Sequence, residues 1–208
     1  MQIEKTVYGK LHENCYMISS GKAAVVIDPG AKDLKTLEFL SRASDKERLI
    51  LLTHCHFDHI GGAEYLREKT GVKIAIGTIE APCLEDPYYT LSDRFYANVA
   101  PFKADITLSN GQPFGVGDID FKAFLTPGHT KGGMCYFADG CLFSGDTLFK
   151  GTAGRTDLPG GSREELFASL NRITESFSDD TEVYPGHGYK TDIKTEKLYN
   201  PYINGEIK

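Results

Sequence analysis

The histidines of this chain are concentrated where they could hold a metal ion. Three of the six histidines stand together with an aspartate in the run His54-Cys-His56-Phe-Asp58-His59. Imidazole nitrogens and carboxylate oxygens together bind zinc, iron or manganese without any thiolate. An isolated histidine is usually an ordinary core or surface residue, but this density is not explained in that way. The run therefore predicts a metal centre.

Three further residues with ligand chemistry stand in a similar setting, beside a glycine and soon after a run of apolar residues. They are His129 in Pro-Gly-His-Thr, Asp146 in Ser-Gly-Asp, and His187 in Pro-Gly-His-Gly. Glycine lets the backbone bend sharply and approach a ligand closely. We therefore expect all seven residues to meet around metal, and a carboxylate such as Asp146 can bridge two cations.

The spacing inside the run suggests how its ligands divide. His54 and His56, one residue apart, can face the same side and bind one ion, while Asp58 and His59 turn towards a second. The two remaining positions are expected to point away into the apolar packing; they are Cys55 and Phe57.

The ligands need strands whose ends converge, and the apolar pattern predicts them. Alternating or continuous apolar runs predict strands at 2–8, 15–19, 23–27, 49–52, 72–76, 106–108, 112–116, 119–125, 134–138, 141–144 and 183–184. Helical spacing predicts helices at about 34–40, 63–69, 163–177 with Ser162 as N-cap, and 191–199. Asp139-Gly140 predicts a type I′ hairpin turn.

The order of these elements predicts an α/β fold in one domain, 1–208. Several strands precede a helix in each half, so we expect two similar halves, about 1–115 and 116–208, forming two packed sheets with helices outside. Residues 78–105 contain three prolines and five aromatic residues. They are predicted to form a long loop with one or two helical turns, either a lid over the site or a surface excursion that covers the core.

Composition narrows the classes of partner. The chain has 208 residues, 40% apolar and 25% charged, with a net charge of −6. The acidic balance argues against nucleic acid as a partner. No stretch reaches the roughly 20 apolar residues of a membrane span, and the first residues lack a signal-peptide pattern. Five scattered cysteines predict free thiols in a reducing cytoplasm. The oligomeric state is left open.

Four motifs follow one another along the chain: Thr53-His-Cys-His-Phe-Asp-His59, Gly128-His129-Thr130, Ser144-Gly-Asp146 and Gly186-His187-Gly188. In this order they resemble the metallo-β-lactamase-fold superfamily over most of the chain. The resemblance implies a four-layer αββα sandwich of two packed mixed β-sheets with outer helices. It also implies two divalent ions, zinc above all, with iron or manganese possible.

The resemblance further implies a role for each ligand. The first ion would be held by His54, His56 and His129. The second would be held by Asp58, His59 and His187, and Asp146 would bridge the two. Asp28, in the turn Asp28-Pro-Gly30, would support a ligand loop.

Within the superfamily the chain resembles the glyoxalase II-like, or hydroxyacylglutathione hydrolase-like, proteins. The motifs are Gly-Asp-Thr-Leu-Phe at 145–149, Gly-Arg-Thr-Asp-Leu-Pro-Gly at 154–160, and Tyr-Pro-Gly-His-Gly at 184–188. This implies hydrolysis of a small-molecule thioester by a metal-bridging hydroxide, which Asp58 could orient. The sequence shows no separate general acid, which favours a thioester because a thiolate leaves without a proton. The acyl group and the thiol carrier stay open, since the printed sequence ends before the glutathione-binding helical region of full-length glyoxalase II.

Two alternatives remain. One is a persulfide dioxygenase, in which the resemblance implies a single iron held by His54, His129 and Asp146. The other is a lactonase or β-lactamase. Substrate contacts are predicted for Arg155, Lys150 and Tyr189. For Arg155, a buried structural ion pair with Asp157 is the competing interpretation, and Lys150 and Tyr189 can equally be ordinary surface residues.

Overall fold

Two six-stranded β-sheets form the framework of the computed structural model, which describes residues 1–207. The first sheet contains, from edge to edge, β1 Gln2–Tyr8, β2 Glu13–Ser19, β3 Ala23–Ile27, β4 Glu47–Leu52, β5 Lys73–Gly77 and β6 Ile106–Leu108. β1 to β3 are antiparallel, whereas β3 to β6 are parallel. Because parallel strands end at the same edge, the segments after β3 and β4 emerge side by side.

The second sheet is built from the later part of the chain. Its strands are β7 Pro113–Val116, β8 Ile119–Leu125, β9 Met134–Ala138, β10 Cys141–Gly145, β13 Glu182–Pro185 and β14 Thr191–Asp192, in the order β14-β13-β10-β9-β8-β7. Only the β10–β13 pair is parallel among these described strands. Two short strands, β11 Leu148–Phe149 and β12 Thr152–Ala153, form a separate hairpin that the apolar pattern does not predict. β7 pairs with β8, so the second sheet begins at residue 113.

The helices are α1 Leu34–Arg42, α2 Phe57–Ile60, α3 Ala63–Thr70, α4 Pro87–Thr90, α5 Arg163–Ser176 and α6 Ile193–Tyr199, with a 3-10 turn at Ala81–Glu85. Ser162 caps α5 as predicted. The prediction that the last helix begins at 191 is wrong. Thr191 and Asp192 pair with β13, and the Asp192 side chain accepts from the Thr195 amide, so its extended backbone caps the helix.

Three apolar clusters define the layers. The cluster between the sheets includes Val25 and Leu51 from the first sheet and Tyr136 from the second. A second cluster packs α1 and α3 on the outer face of the first sheet, and a third packs α5 and α6 on the outer face of the second. Val25 and its neighbour Val26 fall in different clusters, because successive strand residues point to opposite faces. The predicted four-layer αββα sandwich is therefore confirmed.

Two smaller predictions also hold. Asp139 and Gly140 both have positive φ, 49° and 77°, as a type I′ turn requires. All five cysteines, which lie within the described residues, are free and buried.

Through residue 207, no helix is both long and apolar enough to cross a membrane.

Candidate metal centre

The ends of five strands bring the candidate ligands to one place. Asp28 follows β3, the run 54–59 follows β4, His129 follows β8, Asp146 follows β10, and His187 follows β13. These segments, far apart in sequence, converge on one site at the edge of the sandwich.

The first group of ligands is His54, His56 and His129. One ring nitrogen from each lies within 4.8 Å of the others, and all three side chains are buried. His56 Nδ1 is 2.9 Å from His129 Nε2, and His54 Nε2 is buried without a hydrogen-bond partner. Buried nitrogens without partners are costly, and a cation shared by the three rings satisfies them.

The second group is Asp58, His59 and His187, whose ligand atoms also lie within 4.8 Å of one another. His187 Nε2 is 3.3 Å from His59 Nε2 and 3.5 Å from Asp58 Oδ2. Two imidazoles and a carboxylate on one point fit a divalent cation of the zinc, iron or manganese type.

Asp146 lies between the two groups. Its Oδ2 is 3.5 Å from His129 Nε2 and also 3.5 Å from His187 Nε2. Its Oδ1 is 3.4 Å from His59 Nε2 and is buried without a hydrogen-bond partner. One carboxylate therefore reaches both groups, which is the placement that a bridging ligand needs.

Hydrogen bonds behind the rings set which nitrogen faces the site. Three histidines use Nδ1 to donate outward: His129 to the Arg155 carbonyl oxygen at 2.8 Å, His187 to that of Leu11 at 2.9 Å, and His59 to the Asp28 carboxylate at 3.0 Å. When each ring is neutral, its lone pair is then on Nε2 and points at the other ligands. Such outer partners fix ring orientation and increase ligand basicity.

Asp28 links the two groups of ligands through hydrogen bonds, directly to His59 and through Thr53 to His54. Its carboxylate accepts from the Thr53 amide at 2.7 Å, the Thr53 hydroxyl at 2.6 Å and His59 Nδ1. Because that hydroxyl gives its proton to Asp28, Thr53 Oγ1 accepts from His54 Nδ1 at 3.0 Å. The structure thus places Asp28 where the resemblance expects a residue that supports a ligand loop.

The electrostatics of the site favour a cation. Burial lowers the pKa of His54 and of His56, so both rings are neutral and able to bind metal. Burial opposes protonation of His59 as well, but the carboxylates of Asp146, Asp58 and Asp28 raise its pKa well above the usual range. The same negative charge attracts a divalent ion, and the residues present therefore fit a two-metal site.

Comparison with known proteins agrees with this geometry. The family model described as the metallo-beta-lactamase superfamily matches residues 8–187, which include all seven candidate ligands. The chain belongs to the metallo-β-lactamase superfamily. The probable metallo-hydrolase YqgX of Bacillus subtilis (strain 168) is 32% identical over 208 residues, covering 99% of both chains.

Two solved structures are similar to this protein over nearly the whole chain. The BLEG-1 B3 metallo-beta-lactamase has a TM-score of 0.88 and 36% identity, covering 98% of this chain and 100% of that one. TTHA1623, solved in a di-iron-bound form, has a TM-score of 0.81 and 33% identity, covering 96% of this chain and 99% of that one.

A cavity of about 470 Å³ opens beside the ligands and contains Arg155 but neither Lys150 nor Tyr189 among its described lining residues. Both of those side chains are exposed.

The expectation of a buried Arg155–Asp157 ion pair is wrong: the two side chains are 56% and 66% exposed. Side chains two positions apart in a loop can form an ion pair in solvent without being buried, and such ion pairs contribute little to the stability of the fold.

The expectation that Phe57 points into the core is also wrong. Its side chain lines the cavity, because the short helix α2 begins at this residue and ends the strand-like alternation. Cys55 is buried as expected. The segment 78–105 serves both of the roles considered for it. Leu91 and Phe95 line the cavity, while Tyr89 packs on the outer apolar cluster.

Sequence reasoning missed two buried glutamates. Glu80 Oε1 accepts from the Cys55 amide at 3.1 Å and so holds the ligand loop. Glu13 is buried with no hydrogen-bond partner on either oxygen, and burial raises the pKa of its carboxyl well above the usual range. Neither residue lies in a motif, and no local pattern distinguishes it from a surface glutamate.

We predict that Gly30→Ala damages the site. A Cβ at Gly30 would overlap the Asp58 carbonyl oxygen and crowd the Glu13 carboxylate, so the Asp58 loop must move. The expected loss in the free energy of unfolding is about 3 kcal/mol, measured by urea denaturation, together with a lower metal content. Gly21→Ala is the control, since its nearest contact would be Asp118 Oδ2 at 3.5 Å. Equal stability of the two variants would contradict the prediction.

Proposed function

We propose that this metallohydrolase of the metallo-β-lactamase superfamily cleaves a small-molecule thioester of the hydroxyacylglutathione hydrolase type. The observation that carries the proposal is the convergence of seven imidazole and carboxylate ligands beside a cavity that holds no separate acid. Two divalent cations, zinc or iron, would lower the pKa of a water towards neutrality and polarise the substrate carbonyl. Free, buried cysteines support a reducing compartment such as the cytoplasm.

Asp58 is the proposed residue that orients the attacking water. Its carboxylate lines the cavity, and although burial opposes ionisation, the neighbouring His59 and His187 lower its pKa. It is therefore an anion that accepts a hydrogen bond from water and turns a lone pair towards the carbonyl carbon.

The cavity lining favours a thiolate as the leaving group. Every aspartate and histidine among the described lining residues is also a candidate ligand, and none of the lining residues is lysine, tyrosine or glutamate. A thiolate with a pKa near 8.5 leaves without being protonated, whereas an amine needs a proton donor.

Hydrolysis of a β-lactam is the second candidate. It is supported by the similarity to BLEG-1, a B3 metallo-beta-lactamase that matches nearly the whole chain. The two candidates differ in the bond cleaved and share the same ligand set, so substrate comparison separates them.

The test is hydrolysis of a substrate panel with and without a chelator, alongside metal counting. The panel contains S-lactoylglutathione, simple acyl thioesters, a homoserine lactone and a penicillin. We expect thioesters to be cleaved fastest, with two ions per chain and loss of activity on chelation that added metal restores.

Three outcomes would overturn the proposal. Faster cleavage of the penicillin or the lactone would establish the corresponding alternative. Oxygen uptake on glutathione persulfide with one iron per chain would indicate the dioxygenase. Hydrolysis that is insensitive to chelation would exclude the metal-dependent reaction itself.

A further inference from the structure

We infer that the cavity selects a substrate with an apolar hydrocarbon group next to the scissile carbonyl. The inference rests on the proposed thioester hydrolysis and narrows its substrate: among the thioesters that such a reaction can cleave, the cavity favours an apolar one over a hydroxyacylglutathione. Beyond the ligands, the cavity of about 470 Å³ is lined mainly by large apolar side chains: Leu11, Phe57, Leu91, Phe95, Phe149 and Leu158. Apolar walls with few polar groups are typical of pockets that bind hydrocarbon.

Two aromatic rings form a wall that starts at the metal ligands. Phe57 directly precedes Asp58, and its ring lies 5.2 Å from that of Phe95 at an interplanar angle of 30°. Phe149, which also lines the cavity, lies 5.9 Å from the His187 ring in an edge-on contact. A carbonyl held at the ligands therefore has apolar surface within reach of the group attached to it.

Solvent exposure shows that this surface is available to a ligand. Phe95 is 46% exposed and Leu11 is 49% exposed, and both line the cavity. Each methylene group that covers such surface contributes favourably to the free energy of binding, because it is transferred out of water. Contact with the wall therefore strengthens the binding of a hydrocarbon chain, whereas a hydrated polar carrier has no apolar surface to bury there.

The charge of the cavity points the same way. Arg155 is the one cationic side chain among the described lining residues outside the histidine ligands. Asp157 already binds its guanidinium through two hydrogen bonds of 2.7 Å each. An anionic carrier such as glutathione, with two carboxylates, finds no unpaired lysine or arginine along this lining.

The hydrocarbon could belong to the acyl group or to the thiol, and paired substrate series separate the two sources. One series combines a single small thiol with acyl groups from acetyl to octanoyl. The other combines acetyl with alkyl thiols of the same lengths. In whichever of the two series carries the hydrocarbon to the wall, we expect kcat/KM to rise about fourfold for each methylene that reaches it.

Phe95→Ala tests the wall itself. We expect it to lower kcat/KM for the longest effective substrate by about tenfold, the order expected from removing most of one aromatic contact, and to lower it less for acetyl thioesters of small thiols, so that the dependence on chain length becomes shallower. Tyr96→Ala is the matched control. The neighbouring Tyr96 is 95% exposed and does not line the cavity, so its removal should leave the chain-length dependence intact.

A binding measurement gives a readout that does not depend on turnover. Isothermal titration calorimetry with octanoate and with octanethiol should show a negative heat-capacity change for the ligand that covers the wall. Phe95→Ala should weaken that ligand about tenfold relative to the wild-type protein and to Tyr96→Ala.

The outcomes separate this inference from the proposed function. Chelator-sensitive thioester cleavage without chain-length dependence, or with S-lactoylglutathione as the best substrate, overturns the inference and leaves the function standing. Absence of thioester cleavage overturns the function. In that case calorimetry still decides whether the wall binds hydrocarbon, and equal binding by the Phe95→Ala and wild-type proteins overturns the inference.

Discussion

Asp146→Ala is expected to lower kcat/KM by at least about 10³-fold and to reduce the metal content from two ions per chain to one or none. The reason is its central position. One carboxylate oxygen is 3.5 Å from both His129 Nε2 and His187 Nε2, and the other is 3.4 Å from His59 Nε2. Because Asp146 would be shared by both ions, its loss would remove several kcal/mol of the transition-state stabilisation that the ions would supply.

The measurements are steady-state kinetics on the best thioester and metal analysis of the purified protein. Asp120→Ala is the control, because this exposed carboxylate lies on β8, the strand that leads to His129, but outside the site. Wild-type metal content in Asp146→Ala would contradict the bridging role. Full activity with normal metal content would remove Asp146 from the centre altogether.

Asp28→Ala is expected to lower the free energy of unfolding of the metal-free protein by about 3–5 kcal/mol. The substitution leaves three donors without their acceptor: the Thr53 amide, the Thr53 hydroxyl and His59 Nδ1. Each buried donor that loses its partner is costly, and a buried charged partner more so. Chemical denaturation of the metal-free protein measures the change.

Asp33→Ala provides the scale for Asp28. Its carboxylate accepts from the Thr36 amide as the N-cap of α1 and from the hydroxyl groups of Thr36 and Tyr8. These bonds are only partly buried, so its loss should cost about 1–2 kcal/mol. Asp28→Asn keeps the shape of the side chain, and we expect it to fold but to bind metal about 10–100-fold more weakly because His59 loses its carboxylate partner. Equal metal affinity in Asp28→Asn and the wild-type protein would refute this supporting role.

Much of the scaffold could be predicted from local pattern. Alternating and continuous apolar runs located most strands of the two sheets, Ser162 marked the start of α5, and Asp139-Gly140 marked the hairpin. These features depend on neighbours a few residues apart, which is why they can be predicted without knowing what packs against them. The short hairpin of β11 and β12 escaped prediction because two-residue strands have no periodicity.

The candidate ligands were predictable for a related reason. The segment 54–59 contains three histidines and an aspartate, and a glycine stands beside each of His129, Asp146 and His187. These patterns predict strand ends followed by sharp turns. Residue type and spacing therefore determined which side chains could bind metal.

Tertiary structure alone decided how those residues meet and what surrounds them. His56 and His129 are 73 positions apart in the chain yet 2.9 Å apart in space, and Asp28 reaches His59 across the parallel pair β3 and β4. The direction of Phe57, the exposure of the Arg155–Asp157 pair and the apolar wall of the cavity were likewise set by packing between distant segments. Local sequence specifies the turn that presents a side chain, but its partner is chosen by contacts that form only when the two sheets close on each other.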